Sequence, residues 1–513
     1  MFRIKYIWVL LMIVALSSCE QGKYDREIEP PVELVSGEAD FTNYVALGNS
    51  LTAGFSDGAL FIESQNNSYP NLIAEKMMYA GGGEFVQPLM NDNTGGLLYG
   101  GVQIQSARLV TDLVSLAPLP KDPTTEVTNV ITGPFKNMGV PGARSYHLLA
   151  PGFGDLANVP LQLANPYYAR MASSSSATVL GDAMAQNPTF FSLWIGANDV
   201  LGYGQSGGDG SNDITDKALF DGSMAALIST LTSGGAKGVV GNIPNILTGA
   251  YFTAVPYAPL DPSNPEYAEQ IPTLNAAYAQ LNQAFAFLGV PERSVVFSET
   301  EASPVVIFDE SLANISAQLN AVLIAGGLNP LTAGLLSQQY AQSRQANEND
   351  ILTLTSQTAI AEINTEYFQQ LVDMGVPAAT AGQLSVNGLT YPLADTYVLI
   401  PTEQMEISDA TAAFNATIAQ LTTNAGLAAF DAFALINQIH ESGYSSDGFN
   451  ITTEFIFGGL FSLDGLHLTA RGNAIVGNEM MKVIDATYES NFEEAGMLND
   501  IGDYPQIYSA ALP

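Results

Sequence analysis

Tyr44-Val45-Ala46-Leu47-Gly48-Asn49-Ser50-Leu51-Thr52-Ala53-Gly54 is the stretch on which the reading of this chain turns. Residues 44–47 are an apolar run, and 41–47 reads as a buried strand. Gly48 and Asn49 then break the run and present Ser50. A serine held between a buried strand and a small-residue turn is a nucleophile on a rigid support. One such serine is common, so its meaning depends on what lies further along the chain.

Working outward, residues 190–195 (Phe-Phe-Ser-Leu-Trp-Ile) read as a second buried strand. Phe220, Met224, Leu227 and Leu231 then fall on one helical face, and Gly234-Gly235 can end that helix. Residues 239–243 form a third strand that stops at Pro244. Strand, helix and strand joined by short links predict a parallel sheet with covering helices. The expected fold is α/β, a three-layer α/β/α sandwich with a mostly helical insertion.

The insertion is expected at 251–399, with a helical stripe at Leu274, Tyr278, Leu281, Phe285 and Leu288 and another at Leu312, Ile315, Leu319 and Val322. Residues 295–297 and 305–308 are expected to flank a hairpin. The main fold is expected to resume at 397–400. Phe414, Ile418 and Leu421 suit a helix, 427–430 a strand, and 470–488 the last helix. The domain plan is therefore a discontinuous core at 41–250 and 400–490, the insertion as a candidate cap, and a C-terminal tail at 491–513. No internal repeat is present.

Three later stretches combine with the first. They are Asn137-Met138-Gly139-Val140-Pro141-Gly142-Ala143, Gly196-Ala197-Asn198-Asp199 after the second strand, and Asp464-Gly465-Leu466-His467 before the last helix. In this order the four blocks resemble the SGNH, or GDSL-type, serine hydrolase superfamily. That family has a serine, a glycine, an asparagine and an Asp-x-x-His in successive blocks. The resemblance covers roughly residues 41–250 and 400–490. It implies Ser50 as nucleophile, His467 as base and Asp464 as the acid that orients the imidazole. It implies an oxyanion hole from the Ser50 N–H, the Gly142 N–H and the Asn198 side-chain amide. Gly139 is the alternative glycine, although the Val-Pro-Gly arrangement fits Gly142 better. Two positions depart from the pattern: Asn49 stands where the family usually has aspartate, and Leu468 where it often has proline.

Other reactive residue types are few. His147 follows Gly142 by five positions and can lie near the site; His440 ends an apolar helical segment. Both read as structural or surface residues. With three histidines and one cysteine, a His/Cys metal site is not expected, and the predicted chemistry needs no cofactor. Asp209-Gly210-Ser211-Asn212-Asp213 lacks the EF-hand spacing and reads as a solvated loop. Gly204-Gln205-Ser206-Gly207-Gly208 matches the Gly-x-Ser-x-Gly elbow, but has neither the strand before it nor the helix after it that the elbow requires.

The 513 residues carry 51 acids against 16 bases, a formal charge of −35, which excludes a basic nucleic-acid footprint. An apolar fraction of 47% supports a sizeable core. At the N-terminus, Arg3 and Lys5 precede an apolar stretch at 6–16 and then Ser17-Ser18-Cys19. This resembles a bacterial lipoprotein signal, with residues 1–18 removed, the sole cysteine acylated and 19–40 left as a tether. An exported, membrane-anchored protein, in the outer membrane, is expected. The partners are an ester substrate, lipid or acylated glycan, and the membrane through Cys19.

The predicted function is carboxylic ester hydrolysis through an acyl-serine. Alternatives are a carbohydrate acetylesterase and a non-catalytic surface lipoprotein that binds a glycan or protein. The apolar run at 455–461 favours a hydrophobic ester or is a core wall.

Overall fold

The computed structural model describes residues 32–512 apart from 114; the predicted signal peptide and Cys19 lie outside the described residues, as does part of the tether. Five parallel strands form the central sheet: β1 (Tyr44–Gly48), β2 (Asn137–Gly139), β3 (Phe190–Trp194), β4 (Lys237–Gly241) and β5 (Ala428–Phe430). Their spatial order is β5-β4-β3-β1-β2, with Tyr44 opposite Phe190 and Ala46 opposite Asn137.

Side-chain alternation divides β1 between two cores. Tyr44 and Ala46 join one cluster with Phe190, Ile475 and Ile484; Val45 and Leu47 join the other with Phe191, Leu227 and Phe414. Helices α2 (Tyr69–Met77) and α7 (Ala470–Tyr488) supply the first face, and α4 (Lys217–Leu231) and α6 (Pro401–Ala425) the second. The chain is thus mixed α/β, with helices on both faces of a parallel sheet. It runs from β1 outward to β2, then returns to β3 on the other side of β1. That reversal opens a crevice at the carboxyl ends of β1 and β3, where ligands bind in open α/β sheets.

Residues 255–400 pack about their own core, which includes Leu274, Tyr278, Phe285, Phe297, Ile307, Leu319 and Val398. Its longest helix is α5 (Ile271–Leu288). One expectation fails in this region. Residues 295–297 do not form a hairpin strand: Asn282 and Asn275 of α5 take and give their backbone hydrogen bonds at 2.8–2.9 Å. The strand Val306–Phe308 pairs instead with Ser343–Gln345. Val398–Leu399 pairs with Ile351–Leu352, Leu399 packs in the sheet's second core, and α6 follows from Pro401. In the second predicted stripe, the helix begins only at Ser316, leaving Leu312 and Ile315 before it.

The C-terminal segment is packed rather than a free tail. Phe492 is buried, Tyr508 meets Phe61 edge-on at 5.0 Å, and Arg108 donates to the Ser509 carbonyl at 2.5 Å. Among the described residues, no helix is long and apolar enough to cross a membrane.

Candidate active site

Ser50 opens the short helix α1 (Ser50–Ala53) directly beyond β1. Asn49 caps this helix by accepting the Leu51 N–H at 3.0 Å, a bond that an aspartate there would also make. Gly48 must be glycine: a Cβ would lie 2.1 Å from Thr52 Oγ1 and 2.3 Å from the Trp194 carbonyl. Sheet and helix approach so closely here that Ser50 is only 7% exposed.

His467 reaches this serine from the opposite end of the sequence. Its Nε2 lies 2.8 Å from Ser50 Oγ, and its Nδ1 lies 2.8 Å from Asp464 Oδ2. The three-residue spacing works because Asp464-Gly465-Leu466-His467 folds into a tight turn. Asp464 Oδ1 accepts the N–H groups of Leu466 and His467 at 2.9 and 2.8 Å, and Ser462 N–H closes the loop onto the His467 carbonyl at 2.7 Å. Burial works against ionising Asp464. The neighbouring His467 ring and those N–H donors outweigh it and hold the carboxyl well below its ordinary range. Phe55 packs on the imidazole with ring centroids 4.6 Å apart.

Asn198 begins helix α3 (Asn198–Gln205) beyond β3. One N–H of its amide is donated to the Ala143 carbonyl at 2.9 Å, which fixes the side chain and leaves its second N–H for another acceptor. Asn198, Ser50 and His467 line one cavity of about 60 Å³, walled by Trp194, Ile246, Phe461 and Leu466. Gly142 does not line that cavity. It sits at φ +79° and lines a separate groove of about 880 Å³. Its loop is tied to the serine by Val140 N–H, which donates to the Gly48 carbonyl at 3.0 Å. Neither the Gly142 nor the Ser50 N–H is given to an acceptor among the described residues. Gly139 is otherwise engaged: its N–H goes to Asn137 Oδ1 at 3.0 Å, and a Cβ there would strike Ala53 N at 2.3 Å.

Sequence reasoning missed the layer behind the triad. Asp57 is buried at φ +51°; its Oδ1 accepts Leu463 N–H at 3.0 Å and its own N–H goes to Ser462 Oγ at 3.0 Å. Ser462 Oγ in turn lies 3.2 Å from Asp464 Oδ1, and Gly58 N–H donates to Asp464 Oδ2 at 2.8 Å. Burial, with a contribution from the Asp464 charge, pushes the Asp57 carboxyl up to about 7, against the Leu463 N–H and the Arg108 charge. The only local signal was Asp57-Gly58, which reads as an ordinary turn. Asp199 is similar: it accepts Ser145 N–H and Oγ–H, both at 2.8 Å, and so locks the second block to the third. Burial raises its carboxyl despite these bonds.

The remaining candidates fall outside this cluster. His147 stacks on Phe153 at 4.5 Å, accepts Arg144 N–H at 3.0 Å and lines the same groove as Gly142. Burial and the Arg144 charge push its imidazole down to about 4. His440 bonds Thr453 Oγ1 at 2.9 Å. Ser206 follows α3, which includes Gly204 and Gln205; its Oγ donates to the Tyr203 carbonyl at 3.1 Å. The loop after it is anchored, since Arg144 donates to Asn212 Oδ1 at 2.6 Å and to the Asp213 carbonyl at 2.9 Å. From the 455–461 run, Phe461 reaches the Ser50 cavity while Phe457 is exposed. No family model, curated protein or solved structure matches this chain.

Proposed function

We propose that this chain is a serine esterase of the SGNH/GDSL type, hydrolysing carboxylic esters through an acyl-serine intermediate. The observation that carries the reading is the unbroken chain from Ser50 Oγ to His467 Nε2 and from His467 Nδ1 to Asp464, both at 2.8 Å. On this reading His467 takes the Ser50 proton as Oγ bonds to the ester carbonyl carbon. The carbonyl electrons move to its oxygen, for which Asn198 Nδ2 and the Ser50 N–H are the donors in the cavity, with the Gly142 N–H beyond its lining as the third proposed donor. The intermediate then re-forms the carbonyl and expels the alkoxide, which receives the proton from His467. Water repeats the cycle on the acyl-serine and releases the acid. Asp464, held ionised, stabilises the imidazolium at each transfer.

The α/β/α sandwich of that family, export as an outer-membrane lipoprotein and acylation of Cys19 belong to the same proposal. Lipid esters and acylated glycans are its substrate classes. A second reading, a carbohydrate acetylesterase, is favoured by the small cavity beside Ser50, about 60 Å³. Hydrolysis of p-nitrophenyl acetate and of longer p-nitrophenyl esters by the wild type and by Ser50→Ala tests both. Turnover that disappears with Ser50 supports an esterase, and a steep fall with acyl length supports the acetylesterase. Turnover that survives Ser50→Ala contradicts both.

A further inference from the structure

A second group of reactive side chains lies away from the triad, where the insertion meets the sheet domain. Glu310 follows the strand Val306–Phe308, Asp395 opens the turn Asp395–Tyr397, and Glu403 stands in the first turn of α6. One carboxylate oxygen from each lies within 4.8 Å of the other two. The groups acting most strongly on Asp395 and Glu403 by charge are themselves acids: Glu310, Asp209 and Asp309 for Asp395, and Glu310 and Asp395 for Glu403. Arg344, the cation of this region, is committed to Asp309 at 2.6 Å and to Asp350 at 2.6 and 2.8 Å.

Glu403 is the decisive member. Its side chain is buried, at 3% exposure. Oε2 accepts the Ile400 N–H at 2.8 Å, which accounts for half of the carboxylate as a helix cap. Oε1 receives no N–H or hydroxyl donor, and the Glu310 carboxyl is the group within hydrogen-bond reach of the Glu403 side chain. Gly208, in the turn after α3, is pressed against that same oxygen so closely that a Cβ would lie 2.3 Å from it. A buried carboxylate oxygen without a donor, facing two further carboxylates, costs free energy unless a cation or a proton meets it.

We propose that Glu310, Asp395 and Glu403 hold a calcium ion that pins the insertion to the sheet domain. A set of carboxylate oxygens suits a hard cation, and calcium takes about six to eight oxygen ligands in a flexible geometry, whereas magnesium keeps several waters and seldom uses a protein cage. Water and backbone carbonyls would complete its shell. The low histidine and cysteine counts bear only on sites of softer metals and leave an all-oxygen site open. The site also adjoins α3, whose first residue is Asn198, so the ion would brace the helix that carries one proposed oxyanion donor.

Calorimetric titration of the EDTA-treated full chain with CaCl2, paired with thermal melts, tests this. One saturable site per chain is expected. At a hundredfold excess over Kd, the melting temperature should rise by about 2–4 °C. Glu403→Gln should abolish the site. Glu310→Gln, which alters an exposed side chain and leaves the buried carboxyl in place, should weaken binding about tenfold with an unchanged circular dichroism spectrum. Absence of saturable binding up to about 10 mM calcium, beyond the weak end of protein calcium sites, overturns the proposal. So does a calcium response in Glu310→Gln and Glu403→Gln equal to that of the wild type. A magnesium response equal to or above that of calcium overturns the assignment to calcium.

Discussion

Two serines follow glycine-rich stretches in this chain, and only one of them meets a base. Ser206 sits in the better-known pattern, Gly204-Gln205-Ser206-Gly207-Gly208, yet its hydroxyl ends on the Tyr203 carbonyl at the exit of α3. Ser50 sits in an undistinguished Gly48-Asn49-Ser50, yet its hydroxyl ends on His467 at 2.8 Å. The difference is topological. Ser50 follows β1 at the point where the chain reverses direction across the sheet, so the third and fourth blocks converge on it. Ser206 lies one helix further from the sheet, and its glycines serve close packing: Gly207 abuts the Asp395 carbonyl and Gly208 abuts Glu403.

The most severe way to break this comparison is to exchange the fates of the two serines. Ser50→Ala should lower kcat for a simple ester by about 10⁴-fold or more, while Ser206→Ala stays within about twofold of wild type. His467→Ala should match Ser50→Ala, and the double variant should be no slower than either single one. Steady-state kinetics on p-nitrophenyl esters reads all four. Next in size, Asn198→Ala should cost about 10²–10³ in kcat if its free N–H serves the oxyanion. A rate unchanged there would leave the second N–H without a catalytic use.

A smaller effect is expected from Asp57→Asn, because Asp57 touches no substrate and holds the turn of the triad acid through Leu463 and Ser462. A fall in kcat of about tenfold at constant KM is expected, as for a displaced catalytic group. Asp57 also carries a stability signature. Its folded carboxyl is raised to about 7 above the ordinary acid value. Its contribution is therefore full at low pH and is lost as pH rises through about 7. Asp57→Asn should flatten thermal stability across that window.

The smallest effect belongs to His147. With its folded imidazole lowered to about 4, its contribution is present above the unfolded value near 6.5 and is lost as pH falls toward 4. His147→Gln should soften that acid limb in pH-dependent melts and leave ester turnover near wild type.

Much of the Ser50 site was legible because Ser50 and Asn198 sit where strands stop. The stretches at 41–47 and 190–195 announce β1 and β3, and the first and third blocks mark their ends. The last helix was expected at 470–488, where it is found, with Thr469 capping it by accepting Gly472 N–H at 2.9 Å. The insertion was less legible. Residues 295–297 have strand-like composition, but side-chain amides of Asn282 and Asn275 take the place of a partner strand, and nothing in a β-branched run shows that. Asp57 was invisible for another reason: its partners lie 405 and 406 positions away, across the sheet. The acid cluster at Glu310, Asp395 and Glu403 likewise joins segments that no local pattern connects.

The measurement that bears most directly on the proposed esterase is fluorophosphonate labelling of the folded protein followed by peptide mapping. Modification confined to Ser50, and lost in His467→Ala, is the expected result. Modification of Ser206, or no modification of a folded protein that also fails to hydrolyse esters, would contradict it.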